Sequence, residues 1–256
     1  MWRSKTVIRM IKSPESISCN KDTIPMKDYV NAVSLKKRWL LYLSGLVVLA
    51  VGLVLSTKCT LGVSPIMSVA YAVSEILSQN LGDMVLIWYS LLILVQLILH
   101  SRNLEGTARN RQLVLDVLQL PLSLVFTRLM NLFSAFFPVY ETECAGQFLG
   151  TIPGRLLVLF IACVCTGIGA SLTLRMKMVP NPGDGIVAAI AESFGLETGT
   201  AKNIVDSVCV VLTLAISLLL ARKVIGIGIG SLLAALSVGR VVAVCSRLYD
   251  RLGIRV

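Results

Sequence analysis

Histidine occurs once in this chain, at His100, and no two cysteines form a C-x-x-C pair. A structural zinc site needs several such ligands at close spacing, so neither zinc nor any other cofactor is expected. The seven cysteines (Cys19, Cys59, Cys144, Cys163, Cys165, Cys209 and Cys245) are scattered, several of them inside apolar runs, and read as small buried apolar residues. A disulfide between Cys59 and Cys144 across outer loops stays open. Charged residues make up only 15% of the chain. The lone histidine falls in a loop, with no recognisable nucleophile or metal set, so an enzyme is not expected.

Apolar residues are abundant. They form 55% of the 256 positions and gather in runs of about twenty, the length that crosses roughly 30 Å of hydrocarbon. The expectation is an all-α, polytopic protein of the lipid bilayer. A formal charge of +10 could suggest nucleic acid. Much of it sits in one tail and in loops flanking the apolar runs, which positive-inside orientation explains better, so nucleic acid is not an expected partner.

Residues 1–38 form a basic tail carrying Arg3, Lys5, Arg9, Lys12, Lys21, Lys27, Lys36, Lys37 and Arg38. It reads as cytoplasmic, either disordered or lying on anionic lipid over Trp2 to Lys12, and not as a signal peptide, since basic residues interrupt any apolar core. A first membrane repeat covers 39–135. Trp39 to Thr57 spans, Leu61 to Pro65 breaks the chain, and Ile66 to Leu77 is apolar but too short to span comfortably. Met84 to Leu99 reaches the membrane face, followed by a cytoplasmic loop with His100, Arg102, Arg109 and Arg111. Gln112 to Ala135 then sets Asp116, Gln119, Ser123 and Thr127 on one helical face that must look at protein, with a kink expected at Pro121.

Residues 136–154 read as an outer loop and 155–248 as a second membrane repeat, beginning with Arg155 and Leu156 to Leu174. Arg175 and Lys177 mark a cytoplasmic return. Val179 to Gly185, Val-Pro-Asn-Pro-Gly-Asp-Gly, cannot continue a helix, because proline lacks the amide proton and glycine costs backbone entropy. The helix after it, 184–195, rises only ~18 Å and dips into the membrane without crossing. Spans from Thr200 to Ala221 and from about Val224 to Ser246 follow, and 249–256 is a basic cytoplasmic end.

A shift of 117 pairs Pro65 with Pro182, Gly52 with Gly169, Glu75 with Glu192, Gly82 with Gly199 and Ser90 with Ser207, without a gap. Proline, glutamate and glycine in one order at one shift point to a duplication. Three spans and one short re-entrant helix per half make the halves inverted and put most basic residues inside. Counting the short segments as full spans gives four per half and pushes the 100–111 loop, Arg175 and Lys177 outside. Both arrangements leave the termini in the cytoplasm.

Pro-Asn-Pro-Gly-Asp-Gly (180–185), Ala-Lys-Asn-Ile-Val-Asp (201–206), and Gly-Ile-Gly-Ile-Gly-Ser with Val-Gly-Arg (226–240) resemble the YczE/YyaS/YitT group of bacterial integral membrane proteins. The resemblance covers roughly Arg38 to Leu248 and is strongest from residue 178. It implies a transporter-like architecture in the bacterial inner membrane and names no substrate.

Asp184 either caps the short helix or, with Asn181 and exposed backbone amides, faces a cavity as a substrate, cation or proton site. Lys202, Asn203, Asp206 and Ser207 share a stripe that Thr213 and Ser217 continue, and Lys202 and Asp206 are placed to pair. Arg240 lies deep in the last span and demands an acidic partner or water, with Asp184, Glu192, Asp206 and Glu75 as candidates. Glu75 and Glu192 are secondary candidates, as paired structural anchors or a pseudo-symmetric proton site. Gly226 and Gly230 fit a helix-packing contact, while Gly226, Gly228 and Gly230 together fit an unwound entrance. The expected function is a secondary transporter or exporter of a small solute at a midplane site between the repeats. A membrane accessory protein supporting biosynthesis or secretion is the alternative. A homodimer is left open.

Overall fold

The computed structural model describes residues Leu35 to Arg251. The expectations for most of the basic tail, including Arg3 and Cys19, and for Arg255 at the basic end lie outside the described residues. Within them the chain is all-helical, with no strand. Its helices are α1 (Leu35–Lys58), α2 (Pro65–Leu77), α3 (Leu81–Asn103), α4 (Gly106–Phe136), α5 (Ile152–Arg175), α6 (Pro182–Phe194), α7 (Thr198–Ile216) and α8 (Ile229–Arg251). A 3-10 turn at Phe148–Gly150 precedes α5, and a π-helical turn at Ser217–Ala221 ends α7. Six helices are long and apolar enough to cross a membrane, whereas α2 and α6, of 13 residues each, are not.

Helices α1 and α5 form the centre of the bundle and run antiparallel. Arg38 Nη2 donates to the Met176 carbonyl at 2.6 Å, placing the start of α1 beside the end of α5. At the other end Arg155 Nε donates to the Cys59 carbonyl at 2.9 Å. Glycine lets the two axes close: a Cβ on Gly52 would meet the Thr166 amide at 2.5 Å, and one on Gly169 the Leu49 amide at 2.5 Å.

The starts of α1, α2 and α3, at Leu35, Pro65 and Leu81, recur 117 residues later at Ile152, Pro182 and Thr198. Packing follows the same exchange, since α2 lies against α7 and α3 against α6. One pair departs from it. Helices α3 and α4 pack along their length, whereas α7 and α8 do not.

Both short helices begin inside the bundle, each with proline at its first position, where a missing amide proton costs nothing. Trp88 Nε1 holds the Ile66 carbonyl at 2.9 Å, and the Tyr42 hydroxyl holds that of Val179 at 2.9 Å. From there α2 runs to Glu75, which lines a pocket with Lys58 and Asn80 at the end where α1 finishes. Helix α6 runs the opposite way, to Glu192 beside His100 near the end of α3.

Several expectations are corrected. The loop from His100 to Arg111 is helix: His100 and Arg102 lie on α3, Arg109 and Arg111 on α4, and only Leu104 and Glu105 connect them. Helix α8 begins at Ile229, not near Val224, because Gly226 adopts φ +81° and lies before the helix. The packing contact of Gly226 with Gly230 therefore gives way to an unwound entrance laid on the first break. Val63 N donates to the Gly226 carbonyl at 3.0 Å and Gly230 N to that of Leu61 at 2.8 Å. Cys59 and Cys144 are free thiols buried in one apolar cluster. Pro121 lies inside α4, at the position where the kink is expected.

Candidate functional site

The breaks before α2 and α6 meet. A Cβ on Gly183 would lie 3.3 Å from Ile66 Cδ1, and between the two helix starts opens a cavity of about 290 Å³. Its polar wall holds Asn181, Asp184, Lys202 and Asp206, with Ser64 at the start of α2. Its apolar wall comes from α1, α5 and α8, including Leu49, Leu53 and Val238.

Asn181 caps α6, its side chain accepting from Gly183 N at 3.3 Å. That assigns the cap to Asn181 and leaves Asp184 in the first turn, where its charge opposes the helix dipole. Asp184 retains accessible surface and makes no ion pair within the described residues. Lys202 Nζ reaches Asp206 Oδ2 at 3.1 Å, one helical turn apart, while Asp206 Oδ1 is buried and has no hydrogen-bond partner. The start of α2 is the complement: Ser64 makes no side-chain cap, and no acidic residue stands in the first turn.

Beside the cavity lies a second buried polar group that the sequence reading only half identified. Asp116, Gln119, Ser123 and Thr127 are all buried, as their common helical face required. The partners of Asp116 and Gln119 on α3 are His100 and Gln96, also buried. His100 Nδ1 lies 2.6 Å from Asp116 Oδ2; Gln119 Nε2 donates to Asp116 Oδ1 at 3.3 Å and to Gln96 Oε1 at 3.0 Å. Gln96 Nε2 then donates to the Pro182 carbonyl at 3.2 Å, joining the group to the first residue of α6. The signal was available in the four-residue step from Gln96 to His100, facing the three-residue step from Asp116 to Gln119.

Of the residues expected at a site, Asn181, Asp184, Lys202 and Asp206 come together. Asn203 and Ser207 are exposed outside the cavity. Arg240 is exposed and pairs with none of its candidate carboxylates. Glu75 and Glu192 stand at the far ends of the short helices, near opposite ends of α3. Among the described residues no group of three or more His, Cys, Asp or Glu side chains is placed to hold a metal.

At the end of α1 the structure ties Arg155 into a local cluster. Its guanidinium lies 3.1 Å from Glu141, and the Thr60 hydroxyl donates to Glu141 at 2.6 Å. Arg128 likewise reaches Asp83, at 2.9 Å.

Helix composition and the buried polar groups define a multi-pass integral membrane protein. Within that class the chain belongs to the family of unknown function DUF6198, whose profile matches residues 36–247. No curated protein and no solved structure matches it.

Proposed function

We propose that this protein is a secondary transporter of a small amphipathic zwitterion, bound where the starts of α2 and α6 converge. The observation that carries the reading is Asp206 Oδ1, a buried acceptor without a partner, on the wall that also holds the unpaired carboxylate of Asp184. Two carboxylates against one lysine suit a cationic group. The start of α2 across the cavity suits an anionic one, because no side chain caps it and the helix dipole favours negative charge there. The apolar wall suits a short hydrocarbon body. A volume of about 290 Å³ lies at the lower end of ligand cavities, roughly 300 to 1,000 Å³.

The architecture supports alternating access. Three crossings and one short helix in each half make the halves antiparallel, and their helix starts recur at one shift. Such halves rock about a shared site to open it on either side in turn. The resemblance to the YczE/YyaS/YitT group agrees with this and adds no substrate. Orientation follows from charge. Arg102, Arg109, Arg111, Arg175, Lys177 and Arg247 gather at the end where α1 begins, and positive-inside bias favours a cytoplasmic position for that end in a bacterial inner membrane.

The test is thermal unfolding of the purified protein in nanodiscs with a panel of amino acids, betaines and small organic cations. A zwitterion that raises Tm in the wild type but not in Asp184→Asn, and then exchanges across vesicles of phosphatidylethanolamine and phosphatidylglycerol, supports the reading. Stabilisation equal in both proteins would sink the site. No stabilisation by any of them, with a partner protein co-purifying, favours the accessory role.

A further inference from the structure

His100 is the chain's single histidine, and it is buried against a carboxylate near the C-terminal end of α3. Its Nδ1 is engaged by Asp116. Its Nε2 is buried without a hydrogen-bond partner and lies 4.0 Å from Glu192 Oε2, on a side chain that is 56% exposed. The charged groups facing the ring are therefore Asp116 from α4 and Glu192 from α6. Helix α2, also packed on α3, has one charged residue, Glu75, at the far end of the bundle.

We propose that His100 and Asp116 form the proton-binding site of this protein, loaded through Glu192 and linked to the cavity by the side-chain amides of Gln119 and Gln96. The transfer balances. A Glu192 carboxyl gives its proton to Nε2 while the Nδ1 proton passes to Asp116 Oδ2, leaving a Glu192 carboxylate, a neutral imidazole and a neutral Asp116 carboxyl.

The consequence at the cavity follows from hydrogen-bond polarity. Ionised Asp116 accepts from Gln119 Nε2, and this fixes both amides so that Gln96 Nε2 donates to the Pro182 carbonyl. In that arrangement Gln119 Oε1 is buried and unpartnered. Protonated Asp116, after its carboxyl rotates, donates instead, and Gln119 Oε1 is the acceptor in reach. The Gln119 amide then turns over, Gln96 must follow, and Pro182 loses its donor. Proton uptake thus loosens the start of α6, where Asn181 and Asp184 face the solute. What the proton drives rests on the transport reading; the proton site itself does not.

A protein labelled with 15N-histidine has one labelled ring, which can be followed by NMR in nanodiscs as bath pH is varied. The His100 signals should change as bath pH is varied, because proton uptake at Asp116 exchanges the protonated ring nitrogen from Nδ1 to Nε2. A ring that ignores bath pH would be a fixed structural hydrogen bond, and the proposal fails. Asp184→Asn supplies a signed test. If the start of α6 is linked to Asp116, removing the charge that steadies this helix end eases proton uptake, and the midpoint of the response moves to higher pH. Simple loss of a nearby negative charge moves it down. A downward shift or none overturns the link. Gln119→Met should abolish the upward shift, and its persistence would also overturn the amide chain. The sign in the wild-type background decides the matter even if Gln119→Met folds poorly. An upward shift in a protein that no zwitterion stabilises would keep the proton site and discard the transport reading.

Discussion

Gly52 of α1 and Thr166 of α5 stand so close that a Cβ on the glycine would fall 2.5 Å from the threonine's amide nitrogen and hydroxyl oxygen. The shift of 117 exchanges this contact with that of Gly169 and Leu49, at 2.5 Å. Backbone atoms cannot yield as a flexible side chain does, so a methyl at either site must push the central helices apart.

Gly52→Ala and Gly169→Ala should each lower stability by about 1 to 3 kcal/mol, the usual cost of overpacking. Gly199→Ala, where a Cβ meets nothing within 4 Å, should stay within about 0.5 kcal/mol. Thermal unfolding followed by size exclusion in detergent measures both. Equal Tm values in all three variants would refute a crossing fixed by these glycines.

The Glu141 carboxyl is held below its ordinary range, first by the Thr60 hydroxyl and also by Arg155, though burial opposes them. A carboxyl with a lower folded than unfolded value adds stability above the unfolded value and loses it as pH falls through the folded one. The Tm advantage of wild type over Glu141→Gln should therefore be present at neutral pH and fade as pH drops below the ordinary 4.5. An advantage that grows on acidification would contradict the pairing.

Much of the fold was legible because its punctuation is local. Pro65 and Pro182 announce helix starts through the missing amide proton, and runs of bilayer length announce the spans. The His100 region misled because polar residues from 100 to 111 resemble a loop, whereas two long helices here turn within two residues and continue past the apolar stretch. Sequence spacing put Asp116 and Gln119 on a protein-facing side but could not supply their partners, since the contact with Gln96 and His100 is tertiary. The same limit applied to Asn181, whose cap depends on the backbone angle before Pro182.

Because Asn181 is the cap and Asp184 is not, their substitutions should separate stability from binding. Asn181→Ala should cost about 0.5 to 2 kcal/mol, the range for losing an N-cap side chain. Asp184→Asn should cost less while losing the stabilisation by a zwitterion. Chemical denaturation of both variants, with and without the stabilising solute, gives the comparison. The reverse order would return the capping role to Asp184.

Arg240 is the residue on which reasoning from charge alone and the structure part most sharply. In a span an unpaired guanidinium costs about 2.5 to 3.5 kcal/mol on translocon scales, which argues for an inward partner. Yet Leu232, Leu236 and Val244, at steps of four along α8, are exposed, and Arg240 is exposed in the same row. That row faces away from the cavity, whose α8 wall is made by residues such as Ala234 and Val238. Arg240→Leu should therefore keep the zwitterion-dependent rise in Tm while inserting into membranes more efficiently, because it removes a charge from an outward face. Insertion is measured by glycosylation mapping of α8, and solute binding by the same thermal assay. If Arg240→Leu lost the solute response as fully as Asp184→Asn, α8 would have to rotate its charged face into the cavity, and the site drawn here would be incomplete.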